Sequence, residues 1–237
     1  MPVSGGQKMT MLPPGLELSA ERIDKLTLVG RNAGNSAVGA AYETAHSLGG
    51  IRNTLSNDGS TVTVVSTSAD DDNIGGSGCK RVKIKGLDTN GDLIEESINL
   101  DGTTAVTSQN TYISIYHMVG NKGSANVGDV TLKEGSNALL QMDAGTMQAD
   151  IAHYRLPTGH RGYLTSFLAS VSGEAYVGIW ARRANLNTPW QKKFEIVLKD
   201  NTTVYQLPNP IYLDAGFEFE FRAKRVGSTD ANVRVDW

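Results

Sequence analysis

Beyond residue 60, apolar and polar positions alternate along much of the chain, with the period of two that a half-buried strand requires. Arg81-Val82-Lys83-Ile84-Lys85 sets Val82 and Ile84 on one face and three cations on the other. Phe217-Glu218-Phe219-Glu220-Phe221-Arg222 points its three Phe inward and its charges outward, and Val233-Arg234-Val235-Asp236-Trp237 repeats the pattern. Residues 61–67 are rich in β-branched side chains and read as a strand. Residues 112–116, 129–133 and 138–142 read as three more. The loop 88–92 carries Asn90-Gly91, a hairpin signal. It joins the strand at 81–85 to one with Ile94, Ile98 and Leu100 on a single face. The register of that hairpin stays open, because the best apolar match and the shortest loop disagree. Past residue 150, strands are expected at 162–171, 175–182, 194–198, 203–207, 217–225 and 232–237. The last of these reaches Trp237, so truncating it should damage the core.

Two segments depart from this pattern. Pro13-Pro14-Gly15 breaks the chain, and residues 19–26 predict one or two helical turns capped by Ser19. So short a segment does not fold alone. Residues 1–30 therefore read as an irregular N-terminal arm, packed on its own body or on a neighbour, with Leu12, Leu16, Leu18, Ile23 and Leu26 as its candidate contacts. In residues 36–48, Val38, Ala41, Tyr42, Ala45 and Leu48 recur at helical spacing, but Gly39 weakens a helix there by about 1 kcal/mol. Helix and irregular structure remain open for it.

Short strands separated by turns predict an all-β fold, an antiparallel sandwich of jelly-roll type. The organisation expected is an arm (1–30), a first β block (31–150) and a second (151–237), joined near residues 154–159.

Composition narrows the function classes. The 237 residues carry 22 Lys and Arg against 25 Asp and Glu, a net charge of -3, which argues against a nucleic-acid binder. No run approaches the roughly 20 apolar residues of a membrane span, and no signal peptide is visible. One cysteine, Cys79, excludes an intrachain disulfide and a Cys-based zinc site.

Candidate chemistry is sparse. Asp70-Asp71-Asp72-Asn73 offers hard oxygen ligands without the spacing of a calcium loop, and reads as a solvated turn. His46, His117, His153 and His160 show no zinc-helix spacing, and surface roles are expected for His153 and His160. Cys79 adjoins Lys80 and Arg81, which favour a thiolate, yet a structural role fits its place at a strand entrance. Glu95-Glu96 and Glu218/Glu220 lack the geometry of a glycosidase pair. No catalytic, cofactor or metal site is expected. Trp180 and Trp237 are assigned to the core. Trp190 lies in a turn-rich loop flanked by Arg182-Arg183 and Lys192-Lys193, so Trp190, Arg182 and Arg183 are the candidate interface for an acidic partner. A loop folded back on the sheet is the competing reading.

At the first β block, Gly78-Cys79-Lys80-Arg81-Val82-Lys83-Ile84-Lys85-Gly86-Leu87-Asp88, then Ile94-Glu95-Glu96, then Leu100-Asp101-Gly102-Thr103-Thr104-Ala105-Val106-Thr107 form one pattern. Asn126 to Thr131 extends it, and Leu156-Pro157-Thr158-Gly159 with Gly162 to Ser166 adds a second match. The pattern resembles a group of virion structural proteins of tailed bacteriophages common in marine and freshwater phages. The resemblance spans roughly residues 60–237 and carries no catalytic residues. It implies a β-sandwich component of a phage particle. A capsid decoration (cement) protein fits best, on the capsid exterior, bridging major capsid protein subunits and self-associating, as a trimer. It would be made in the host cytoplasm, with no cofactor and no contact with nucleic acid or membrane. The alternative is a head-fibre, neck or tail component that binds the host surface or its glycans.

Overall fold

The computed structural model describes residues 32–237. The expected arm, with Leu12, Leu16, Leu18, Ile23 and Leu26, lies outside the described residues. The chain opens with β1 (Asn32–Val38) and β2 (Glu43–Thr44). The first block then runs through β3 (Thr63–Ser66), β4 (Cys79–Leu87), β5 (Leu93–Asn99), β6 (Val106–Thr107), β7 (Ser114–Gly123), β8 (Val130–Glu134), β9 (Asn137–Met142) and β10 (Gln148–Asp150). The second block holds β11 (His153–Arg155), β12 (Gly162–Arg183), β13 (Gln191–Leu213), β14 (Phe217–Arg225) and β15 (Ala231–Asp236). All pairings between these strands are antiparallel, and no α-helix occurs among the described residues.

The first block is a sandwich of two four-stranded sheets, ordered β10-β7-β4-β5 and β6-β3-β8-β9. The alternation read in β4 is realised: Val82 and Ile84 are fully buried, while Lys83 and Lys85 reach across to Glu95. Val64, Leu132, Leu140 and Met142 of the facing sheet close the same core. Leu87 pairs with Leu93 and Val82 with Ile98, which settles the hairpin register. Asp88 holds the intervening turn by accepting the backbone N–H of Asn90 and Asp92, each at 2.9 Å.

The second block is built on a ribbon. Two expected pairs of short strands are instead two long strands, β12 of 22 residues and β13 of 23. The breaks read at 172–174 and 199–202 are a bulge rather than loops. Gly173 (φ 95°) donates its N–H to the Asp200 carboxylate, and Asp200 itself sits at φ 42°. The inserted residue bends the ribbon without ending its pairing. Residues 168–172 of β12 pair with β15 and residues 175–183 with β14, so the two halves of one sheet lie in two layers. Phe167 in one half meets Phe221 and Phe194 of the other at ring distances of 5.2 and 5.9 Å.

One open reading is settled and two expectations change. Residues 36–48 form no helix, and β1 and β2 do not join the first block; they pair with β15 and β14 of the second. The physical reason is local. Glu43 accepts from Gly39 N–H, Gly50 N–H and Asn35 Nδ2, offering the backbone a turn in place of helical bonds. Val38 and Ala45 are buried in the second core. The chain passes between blocks at residues 151–152, because β10 pairs with β7 while β11 already pairs with β14, so Tyr154 and Arg155 belong to a strand rather than to a joining loop.

Candidate functional site

The face of β14 opposite its phenylalanines departs most from the sequence reading. Glu218 and Glu220 do not point to solvent: they are 3% and 1% exposed. The strand flanks explain why. His153 and Arg155 of β11 stand across from Glu220 and Glu218 on one side, and Trp180 and Arg182 of β12 on the other. Arg52, from the coil after β2, lies over them and donates Nε to Glu220 at 2.7 Å and Nη2 to Glu218 at 3.2 Å. Arg182 Nε reaches Glu218 Oε1 at 2.5 Å, His153 Nε2 donates to Glu218 Oε2 at 2.8 Å, and Arg222 pairs with Glu220. Buried charges persist only when paired in this way.

Trp190 covers the cluster. The guanidinium groups of Arg182, Arg222 and Arg52 lie 4.6, 5.1 and 5.8 Å from its ring centre. The loop thus folds back on the sheet. Arg182 turns inward to this cluster, whereas Arg183 turns to Phe217 and Asp214 on the other face. The structure therefore brings Trp190 and Arg182 together and leaves Arg183 out. Trp180 is buried beneath Arg222 and the edge of Tyr42. Trp237 packs on Phe219 and Phe221.

Beside the cluster a cleft opens between the blocks. Its lining includes Asn57, Ile113, Ser114, Ile115, Leu139 and Ile151 together with Arg52, His153, Arg155, Arg182 and Glu218. Burial works against ionisation of Glu218, but the His153 hydrogen bond and the charges of Arg52 and Arg182 outweigh it and hold the carboxyl well below the usual range. Burial, then the Arg52 charge, push His153 down, so it is neutral near pH 7. Burial also lowers the pKa of Arg155. Three donors thus converge on the Glu218 carboxylate, two on Oε2 and one on Oε1.

The remaining candidates are structural. Asp71 is not solvated: it is fully buried and accepts bonds from Ser66 Oγ and from the N–H groups of Cys79, Val127 and Gly128. Burial opposes its ionisation, yet these four donors hold its pKa below the ordinary value. Cys79 is buried, and burial pushes its thiol up, against the thiolate that its basic neighbours suggested. His153 is buried while His160 is exposed, so the two do not share a surface. The segment Leu100 to Val106 closes onto the Asp71 loop: Gly102 donates to Asp71 O and accepts from Ser66 N–H.

Sequence reasoning placed His153, Glu218 and Glu220 at the surface and did not single out Arg52, Asn57 or Arg155. Arg52 and Asn57 lie in coil without periodicity, and alternation in β14 cannot tell solvent from a second polar interior.

No protein-family model matches the chain, and no curated protein matches it. Among solved structures, the crystal structure of the infectious bursal disease virus VP2 subviral particle aligns over 89% of this chain and 72% of that chain, at 10% identity and a TM-score of 0.12. A score that low carries no argument about fold or function.

Proposed function

We propose that the chain is a virion structural protein of a tailed bacteriophage, a capsid decoration protein that bridges and stabilises major capsid protein subunits. Its place would be the capsid exterior, as a self-associated trimer, without enzymatic activity. The resemblance in residues 60–237 supports the class. The observation that carries the bridging role is the edge of β13. Among the described residues this strand pairs with β12 alone, so its other side presents backbone groups over a long span. Val197 and Val204 on the same strand are 50% and 61% exposed. Soluble proteins commonly shorten or cover such edges. A long open edge suits strand addition by a neighbour, and Pro208 and Pro210, which lack N–H donors, direct that addition to residues 191–206.

The host-binding alternative looked to Trp190 as an exposed platform, and the indole is instead occupied by three guanidinium groups. The test is copy number. Quantitative mass spectrometry of purified virions should give a count proportional to the major capsid protein. Six or twelve copies per particle would move the chain to the neck or tail.

A further inference from the structure

The cleft between the blocks is electrostatically unbalanced. Its lining includes three guanidinium groups, from Arg52, Arg155 and Arg182, and one carboxylate, from Glu218. Arg52 and Arg182 are satisfied by Glu218 and Glu220. Arg155 is not. It is 8% exposed, its Nη1 donates to the neutral Asn57 Oδ1 at 2.8 Å, and among the described residues no carboxylate lies within ion-pair distance of it. Asn57 is held in that orientation by its own Nδ2 bond to Ala184 O at 3.0 Å. Glu218 supports the Arg155 charge through space only, and a buried cation without a directly bonded counter-ion is costly.

Two further polar atoms in the lining have no partner. Ser114 Oγ and His153 Nδ1 are both buried and unbonded. Because the carboxylate of Glu218 only accepts, His153 donates its Nε2 proton there, and Nδ1 is left as a lone-pair acceptor. The site thus offers a planar cation, a hydroxyl and an acceptor, within walls that include Leu55, Ile113, Ile115, Leu139 and Ile151.

A water molecule could bond Ser114 or His153, but it would leave the Arg155 guanidinium without a directly bonded anion. Chloride would match the charge, but it has no proton for Nδ1 and no pair of oxygens for the guanidinium fork. A hydrogen phosphate ion has both. We propose that the inter-block cleft binds inorganic hydrogen phosphate, its oxygens on Arg155 and Ser114 and its P–OH donated to His153 Nδ1. Because Ser114 belongs to the first block and Arg155 to the second, the ion ties the blocks together. The inference does not depend on the particle role.

Calorimetric titration of the full chain with inorganic phosphate, at constant ionic strength and pH 7.5, tests it. Saturable binding at one site is expected, with sulfate, which lacks a proton to donate, binding several-fold more weakly. Arg155→Gln should weaken phosphate binding by about tenfold or more, the loss expected for a charge-assisted hydrogen bond. Should that variant fail to fold, Ser114→Ala removes one hydroxyl from a small side chain and should still weaken binding several-fold. Absence of saturable heat, equal affinity for sulfate and phosphate, or unchanged affinity in Ser114→Ala would each overturn the proposal.

Discussion

The indole of Trp190 lies 4.6 Å from the Arg182 guanidinium, and this stacking turns an expected surface loop into the lid of a buried ion cluster. Two more guanidinium groups share the ring. Each partly desolvated cation–π contact contributes about 0.5–1 kcal/mol. Trp190→Ala should therefore cost about 2 kcal/mol in urea unfolding, and Trp190→Phe less. An unchanged midpoint in the Ala variant would mean that the indole contributes nothing to the cluster.

Arg52 supplies charge to two buried carboxylates at once. Removing one partner of a buried pair costs about 3–5 kcal/mol, because the remaining charge stays buried. Arg52→Met should fall in that range. In a Glu220→Gln background the same substitution should cost clearly less, since one stranded charge is gone. A double-mutant cycle of unfolding free energies reads the coupling, and additive costs would deny that the two groups act as a pair.

Acid should destabilise the fold in two stages. Burial first, then the Arg52 charge, lower His46 from its ordinary 6.5 to about 4. Burial lowers His153 as well. Their folded pKa values lie below the unfolded value, so the unfolded chain binds more protons as pH falls. The stabilisation is complete above about pH 6.5 and is lost progressively towards pH 4. For His46 the shift corresponds to roughly 3 kcal/mol. The depressed carboxyls of Glu218, Asp71 and Glu43 add a second loss below about pH 4.5. Unfolding free energy measured from pH 8 to 4 should fall, and His46→Gln should flatten the slope between pH 6.5 and 4. A slope equal to that of the native chain would show that His46 does not titrate with folding.

Gly91 should not tolerate a side chain. Its φ is 78°, and a Cβ there would stand 2.1 Å from Thr158 Oγ1. The turn it completes docks on the second block, through Thr158 Oγ1 to Asn90 O at 2.6 Å and Thr158 N–H to Gly91 O at 2.9 Å. Gly91→Ala combines about 1–2 kcal/mol of backbone strain with the clash. Adding Thr158→Ala should recover the clash but not the strain. If the double variant were no more stable than Gly91→Ala alone, the contact with Thr158 would not be the constraint.

The contrast between β4 and β14 shows how far alternation reaches. In β4 the polar face meets solvent and Glu95, so reading cations as outward was enough. In β14 the same pattern conceals a second interior, because Arg52 is brought in from coil more than 160 positions away, by sequence separations of 166 and 168. Periodicity reports which residues share a face, not what covers that face. The strand at 217–225 and the turn at Asn90-Gly91 were legible for the same reason: both are set by local chemistry. The merging of short strands into β12 and β13 was not. A bulge built on Gly173 and Asp200 looks like a loop in one dimension.

Asp71 offers the most local test of the corner where the segment Leu100 to Val106 closes. The carboxylate accepts four bonds, and one of them comes from the N–H of Cys79 at 2.9 Å. Asp71→Asn keeps the shape but replaces one acceptor oxygen with an amide that must face N–H donors. Leaving buried donors unmet costs about 1–3 kcal/mol each, so a loss of about 3 kcal/mol is expected. Cys79 is fully buried, which makes its thiol a reporter of opening at this strand entrance. In Asp71→Asn, labelling of Cys79 by a thiol reagent should accelerate more than the fall in global stability accounts for. Matched to that fall, it would show that Asp71 stabilises the fold without holding this corner in particular.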